Sequence, residues 1–293
     1  MIPLVFPYVA HPCGRFRILR RHNLHPRQLG LKNVDSTVAT ALRTMVVLVF
    51  AWALVLITGT QSELGTISAE TWVFLILSGL ATGASWLCYF KALQLGDVNR
   101  VVPIDKSSTV MAILLAIVLL GEEISVAGAI GVVLIAVGTL AMIERKDVDE
   151  VKVTRSGWLL FAIGSAVFAA LTSILGKVGM EGVDSNLGTA IRTVVVLAMS
   201  WVMVMVSSKR SEIRSIRRND AIFIVLSGLA TGASWLCFFK ALQEGPASIV
   251  VPIDKLSILA AVLFSFVVLN ERLSKKAALG LAGIVIGTML MIL

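Results

Sequence analysis

Charge, histidine and cysteine are scarce in this 293-residue chain. Charged residues make up 15% of it, against roughly 25% in soluble globular domains. So few cannot cover a water-facing globule, which excludes a soluble enzyme or binding domain, and the high hydrophobicity excludes disorder. All three histidines, His11, His22 and His25, fall near the start, so the remaining chain has none for a metal centre or a general base. The three cysteines, Cys13, Cys88 and Cys237, have no paired spacing and carry no disulfide, redox or zinc signature. There is no His-Glu-x-x-His, Gly-x-Ser-x-Gly or P-loop pattern, which leaves a membrane-embedded enzyme without recognisable machinery. No enzyme activity, metal or cofactor is expected.

What is abundant is apolar sequence: 57% of residues are hydrophobic and mean hydropathy is +0.90. A bilayer-spanning helix needs about 20 mostly apolar residues. Nine stretches qualify, at 38–59, 72–93, 103–120, 125–143, 157–176, 187–206, 221–242, 252–269 and 277–293. Uninterrupted runs of this length exclude a barrel, because only helices satisfy their backbone groups within one segment. The expected fold is an all-α polytopic membrane bundle, with Pro103 and Pro252 opening their helices.

The chain also repeats itself. Residues 78–106 and 227–255 match at 23 of 29 positions, at an offset of 149 without a gap. The same offset carries Val34-Asp35-Ser36 onto Val183-Asp184-Ser185, Arg43 onto Arg192 and Glu122 onto Glu271. Lys and Arg set the topology. Nineteen of the 26 lie on alternate loops that one orientation places together, six lie within spans, and Lys177 falls opposite. The positive-inside rule makes the basic loops cytoplasmic. Equivalent loops of the two units then face opposite sides, so the repeats are inverted, a pattern of transporters. The net charge of +8 is thereby a topology signal, and no nucleic-acid partner is expected.

The offset calls for ten helices, one more than the nine that can be read. The missing one would cover about residues 8–28, where the sequence is YVAHPCGRFRILRRHNLHPRQ. Each Arg at mid-bilayer costs at least about 2.5 kcal/mol, so residues 1–29 form an anomalous basic segment. A frameshift accounts for it. Arg20–Gln28 written CGC CGC CAC AAC CTC CAT CCT CGC CAA reads, one base later, as Ala-Ala-Thr-Thr-Ser-Ile-Leu-Ala. That string aligns in register with residues 169–176. The alternative is a real basic arm.

Ionisable residues within spans are functional hypotheses by default. Each unit has four: Arg43, Lys91, Asp105 and Lys106, then Arg192, Lys240, Asp254 and Lys255. Their spans place the first set towards one membrane face and the second towards the other, with a central cavity able to see both. Read functionally, they are substrate-binding or coupling candidates, and the cation excess favours an anionic or zwitterionic solute. Read structurally, the aspartates complement helix N-termini and the lysines C-termini, while the arginines neutralise the aspartates. Trp86, Phe90, Trp235 and Phe239 form an aromatic face, either packing or a cavity wall. Glu122 and Glu271 read as solvated helix ends.

The repeat, the Tyr89-Phe90-Lys91-Ala92-Leu93-Gln94 stretch leading to Pro103, the Leu120-Gly121-Glu122 helix close and the Gly-rich last helix together resemble the drug/metabolite transporter superfamily, EamA type. The second unit shows Phe238–Gln243, Pro252 and Leu269-Asn270-Glu271 in the same order. The resemblance implies two EamA-type repeats, at 30–144 and 157–293, joined by a cytoplasmic linker at 145–156. It implies a multi-pass permease of the plasma membrane that moves a small-molecule solute by alternating access, with a homodimer as a compatible assembly. The alternatives are a non-transporting membrane subunit or scaffold, or the inactive product of a frameshifted transporter gene.

Overall fold

In the computed structural model the described residues are 34–142 (except 97), 157–207, 216–263 (except 261) and 274–293, with the side chains of 98–100 also set aside. The anomalous segment 1–29, the linker 145–156 and Glu271 lie outside them.

The described residues form ten α-helices and a short 3-10 turn, without strands. The helices are α1 (Ser36–Thr58), α2 (Ala69–Leu95), α3 (Val98–Lys106), α4 (Ser108–Leu120), α5 (Val126–Ala141), α6 (Trp158–Gly179), α7 (Ser185–Val206), α8 (Arg218–Glu244), α9 (Ala247–Lys255) and α10 (Lys275–Ile292). Seven helical stretches are long and apolar enough to span a bilayer, one of them being Val101–Leu120, and α5 is a shorter apolar helix. Their outward faces expose Ile57, Val118, Leu160 and Leu279, as a bundle in lipid requires.

The repeat is written into the helix starts. Asp35 accepts the Thr37 N–H at 2.9 Å, and Asp184 accepts those of Asn186 and Leu187 at 2.9 and 3.2 Å. Ser125 and Ser274, also repeat partners, cap α5 and α10 in the same way. Each satisfies N–H groups that a first helical turn leaves unbonded.

The packing of α5 on α10 shows how the units are related. A Cβ at Gly131 would lie 2.5 Å from the Gly287 carbonyl oxygen, and one at Gly138 would lie 2.5 Å from that of Gly280. Gly280 is the repeat partner of Gly131, and Gly287 that of Gly138, so each glycine faces the other's partner. The helices therefore cross antiparallel about a pseudo-two-fold axis perpendicular to them. Such an axis lies in the membrane plane, and it inverts one unit relative to the other.

Two expectations about α3 and α9 need correction. Their prolines do not open the helices: α3 begins at Val98 and α9 at Ala247, with Pro103 and Pro252 inside. Pro252 removes only the bond to the Ser248 carbonyl, while Pro246 and the N–H contacts described below fix the start further upstream. The helix then breaks after the proline. At Ser107 the hydroxyl donates to the Ile104 carbonyl at 2.6 Å, and Leu256 makes the equivalent turn in the second unit. In consequence Asp105 and Asp254 sit in the last turns of short helices, where a carboxylate opposes the helix dipole instead of complementing it.

Candidate functional site

The bundle is dense at one end and hollow at the other. The ends of α1, α6 and α8 and the starts of α2, α7 and α9 share one buried cluster that includes Val55, Leu75, Ile174, Leu187, Leu242 and Val251. This end carries Glu122. Glu122 is not a solvated terminus: its Oε1 accepts the Ala247 N–H at 2.7 Å and its Oε2 the Ser248 N–H at 2.8 Å. A first-unit carboxylate thereby occupies the N-terminus of α9 in the second unit. Lys177 lies 3.7 Å from Glu122 and donates to the Leu242 carbonyl at 3.2 Å, and also to that of Gly245. Burial alone would push the Glu122 carboxyl up, but the hydrogen bonds from Ser248 and Ala247 and the nearby Lys177 charge outweigh it and hold it below the usual range. Gln243 donates to the Met180 and Val183 carbonyls, each at 2.7 Å, and closes the same face.

A cavity of about 240 Å³ runs inward from the other face, to which the sequence assigns the basic loops. Its mouth includes Val34 and Ser36 at the start of α1, Phe90 near the end of α2 and Phe223 at the start of α8, and Arg192 and Phe239 lie deep in it. Six of the eight charged candidates line it: Arg43, Asp105, Lys106, Arg192, Asp254 and Lys255. So do all four aromatic candidates, Trp86, Phe90, Trp235 and Phe239. Lys91 and Lys240 lie outside. Both are exposed, and Lys240 pairs with Glu244 at 3.0 Å on the surface.

The aspartate–lysine pairs of the two units do not stand at opposite faces. Because α3 enters from one face and α9 from the other, their last turns meet midway. Lys106 and Lys255 each lie close enough to both Asp105 and Asp254 to interact with them electrostatically. Asp105, 8% exposed, accepts a hydrogen bond from the Ser165 hydroxyl at 2.7 Å, and Ser85 donates to the Ser165 carbonyl at 3.1 Å.

The arginines do not neutralise the aspartates. Arg192, wholly buried, donates from Nη2 to Thr82 Oγ1 at 2.8 Å and from Nε to Ser78 Oγ at 3.3 Å. Its guanidinium lies 4.0 Å from the Phe239 ring centre and 5.3 Å from that of Trp235, contacts in which the ring quadrupole attracts the cation. Its Nη1 has no hydrogen-bond partner. Arg43, its repeat partner, is 9% exposed and has no hydrogen bond or ion pair with any described residue. The hydroxyls of Ser78, Thr82 and Ser85 were missed as site residues. Their i, i+4, i+7 spacing places them on one helix face, and that signal was available in the repeated Ser-Gly-Leu-Ala-Thr-Gly-Ala-Ser string. Glu122 and Lys177 left no such trace, since their hydrogen-bond partners are chiefly backbone groups.

An inverted two-unit helical bundle around one charged, aromatic cavity defines a multi-pass membrane transporter. The profile of the EamA-like transporter family matches residues 27–143 and 156–293, and the chain belongs to that family. It is similar to an uncharacterized transporter from the cobO 3′ region of Sinorhizobium sp, 45% identical over 134 residues that make up 46% of this chain and 95% of that protein. It is also similar to an uncharacterized transporter of Archaeoglobus fulgidus, 23% identical over 266 residues and 90% of each chain. A solved crystal structure shares the fold, with a TM-score of 0.67 at 17% identity over 87% of this chain and 86% of that one.

Proposed function

We propose that this protein is a secondary transporter of the plasma membrane that moves an anionic or zwitterionic metabolite by alternating access. The observation that carries the reading is the cavity itself. It reaches charges of both units from one face, while the contacts of Glu122 with Ala247, Ser248 and Lys177 tie the units together at the other. Exchange of those ties for equivalent ones at the open face would present the same charges to the other side. Among the described residues, four cations and two carboxylates line the cavity, an excess that favours an anionic group on the solute. Asp105 and Asp254, held midway between the units, are the groups placed to carry a coupling proton.

The test is uptake into proteoliposomes under an imposed pH gradient, with solutes drawn from an untargeted comparison of media with and without expression. Asp105→Asn and Asp254→Asn are expected to remove the pH dependence of uptake. Unchanged transport and pH dependence in both variants would sink the coupling role. Lys91→Met and Lys240→Met are expected to leave anion uptake intact, since neither side chain reaches the cavity.

A second reading is favoured by one observation: the α8 face equivalent to the α6-covered face of α2 is covered by no described residue. A chain whose first helix is lost to a frameshift would be an inactive carrier or a non-transporting subunit. Sequencing the DNA for residues 1–32 and measuring the intact mass separates the two readings. A shifted frame restoring an apolar helix supports the carrier, and a confirmed basic segment supports the alternative.

A further inference from the structure

Within the carrier reading, the cation excess of the cavity resolves onto a single side chain. Lys106 and Lys255 are matched by Asp105 and Asp254, with which both interact. That leaves the two arginines. Arg192 is sealed: it is wholly buried, its Nε and Nη2 are taken by Ser78 and Thr82, and Phe239 and Trp235 cover it. Arg43 differs on every count. It stands in the cavity wall two turns from the mouth of α1, about nine-tenths buried, and it has neither hydrogen bond nor ion pair with any described residue. Ser227 and Thr231, the repeat partners of Ser78 and Thr82, do not bond it, and the Thr231 hydroxyl donates to its own helix at the Ser227 carbonyl, at 2.7 Å.

A guanidinium taken this far out of water without a counter-charge is costly, and its planar donor fork fits a carboxylate. The wall around it is chiefly apolar and aromatic, with Trp86, Tyr89, Phe90, Phe223 and Trp235 among its residues. Such a wall suits the body of a solute whose one charged end is held elsewhere. We infer that Arg43 is the anchor for the solute's carboxylate, and that the solute is an organic carboxylate with an apolar, ring-sized body. Arg192 does not share this role in the state described: its Nη1 has no hydrogen-bond partner, but the guanidinium is wholly buried beneath Phe239 and Trp235, with Nε and Nη2 held by Ser78 and Thr82.

The probes are benzoate, its neutral isostere benzamide, and acetate, which keeps the charge without the body. Quenching of tryptophan fluorescence in the purified full-length protein reads binding, since Trp86 and Trp235 line the cavity. Benzoate is expected to bind saturably, acetate more weakly and benzamide not at all. Arg43→Gln is expected to weaken benzoate by about ten- to a hundredfold, the range for loss of a charge-assisted hydrogen bond, and Arg43→Lys to recover part of the loss. Benzamide binding as tightly as benzoate, or unchanged benzoate affinity in a folded Arg43→Gln protein, overturns the inference. So does the absence of saturable benzoate binding by the unmodified protein. If Arg43→Gln does not fold, the benzoate–benzamide pair and Arg43→Lys still decide. The carrier reading fails separately: benzoate binding intact in proteoliposomes that take up no solute removes transport and keeps the anchor. Uptake of a solute indifferent to Arg43→Gln removes the anchor and keeps transport.

Discussion

The α2 and α8 copies of one sequence string occupy different surroundings. Ser78, Ala81, Ser85 and Tyr89 of α2 are all buried, whereas their partners Ser227, Ala230, Ser234 and Phe238 on α8 are half-buried or exposed. The difference is α6. Against α2 it supplies the Thr172 carbonyl to Ser78 at 2.9 Å and the Ser165 carbonyl to Ser85 at 3.1 Å, and Leu75 packs on Gly179. No described residue does this for α8. The arginines follow their helices: Arg192 is tied to the covered copy, and Arg43 has no partner among the described residues beside the uncovered one. Both copies line the cavity, but near-identical residues bond to a covering helix in one unit and stay partly open in the other. Helix partners decide this, not composition.

The hardest test of that contrast is its control, the region where the two units are equal. At the α5–α10 crossing each glycine carries a backbone neighbour that cannot withdraw. Gly131→Val and Gly280→Val are both expected to destabilise by about 3 kcal/mol, the upper range for overpacking, read as thermal unfolding in detergent. A large loss in one and none in the other would break the pseudo-symmetry.

Next comes the contrast itself. Ser85→Leu drives a larger side chain into the α2–α6 seam and removes the link to Ser165, with an expected loss of about 2 kcal/mol. Ser234→Leu, at the equivalent place on α8, is expected to change stability by no more than about 0.5 kcal/mol. Equal losses would mean that α8 is covered as α2 is.

Glu122→Gln follows, with an expected loss of about 1 kcal/mol through weaker capping of α9. Its pH dependence has a definite sign. The folded carboxyl lies below its ordinary value of 4.5, so its contribution is fully present above that value. It disappears as pH falls through the folded value. The gap between the unmodified and Glu122→Gln melting curves should therefore be constant near neutrality and close only in acid. A gap that opened towards acid would reverse the assignment. The smallest effect belongs to Lys240→Ala, whose exposed pair with Glu244 is expected to contribute at most about 0.5 kcal/mol; a larger loss would place Lys240 in a network.

Much of this was legible in the chain. The spans, the 149-residue offset and the inversion follow from apolar length and from where Lys and Arg fall, because lipid tolerates few alternatives to an apolar helix. The helix caps were legible as well, Asp35 and Asp184 being local devices. What failed was anything that depended on a partner. Pro103 and Pro252 resemble helix starts in isolation, yet α9 is held open upstream by a carboxylate 125 residues earlier in the chain, through its contact with Ala247. Glu122 resembles a solvated end until the α9 backbone is brought to it.

The sequence by itself determined that this is an inverted-repeat bundle built for a bilayer, since hydropathy, charge asymmetry and internal repetition are one-dimensional properties. Only the tertiary structure decided that six of the eight in-span charge candidates share one cavity, that Lys91 and Lys240 do not, and that Arg43 has no partner among the described residues where Arg192 has two. The reason is physical. A side chain's partners and access to water depend on which helix lies over it, and two copies of one string cannot record that difference.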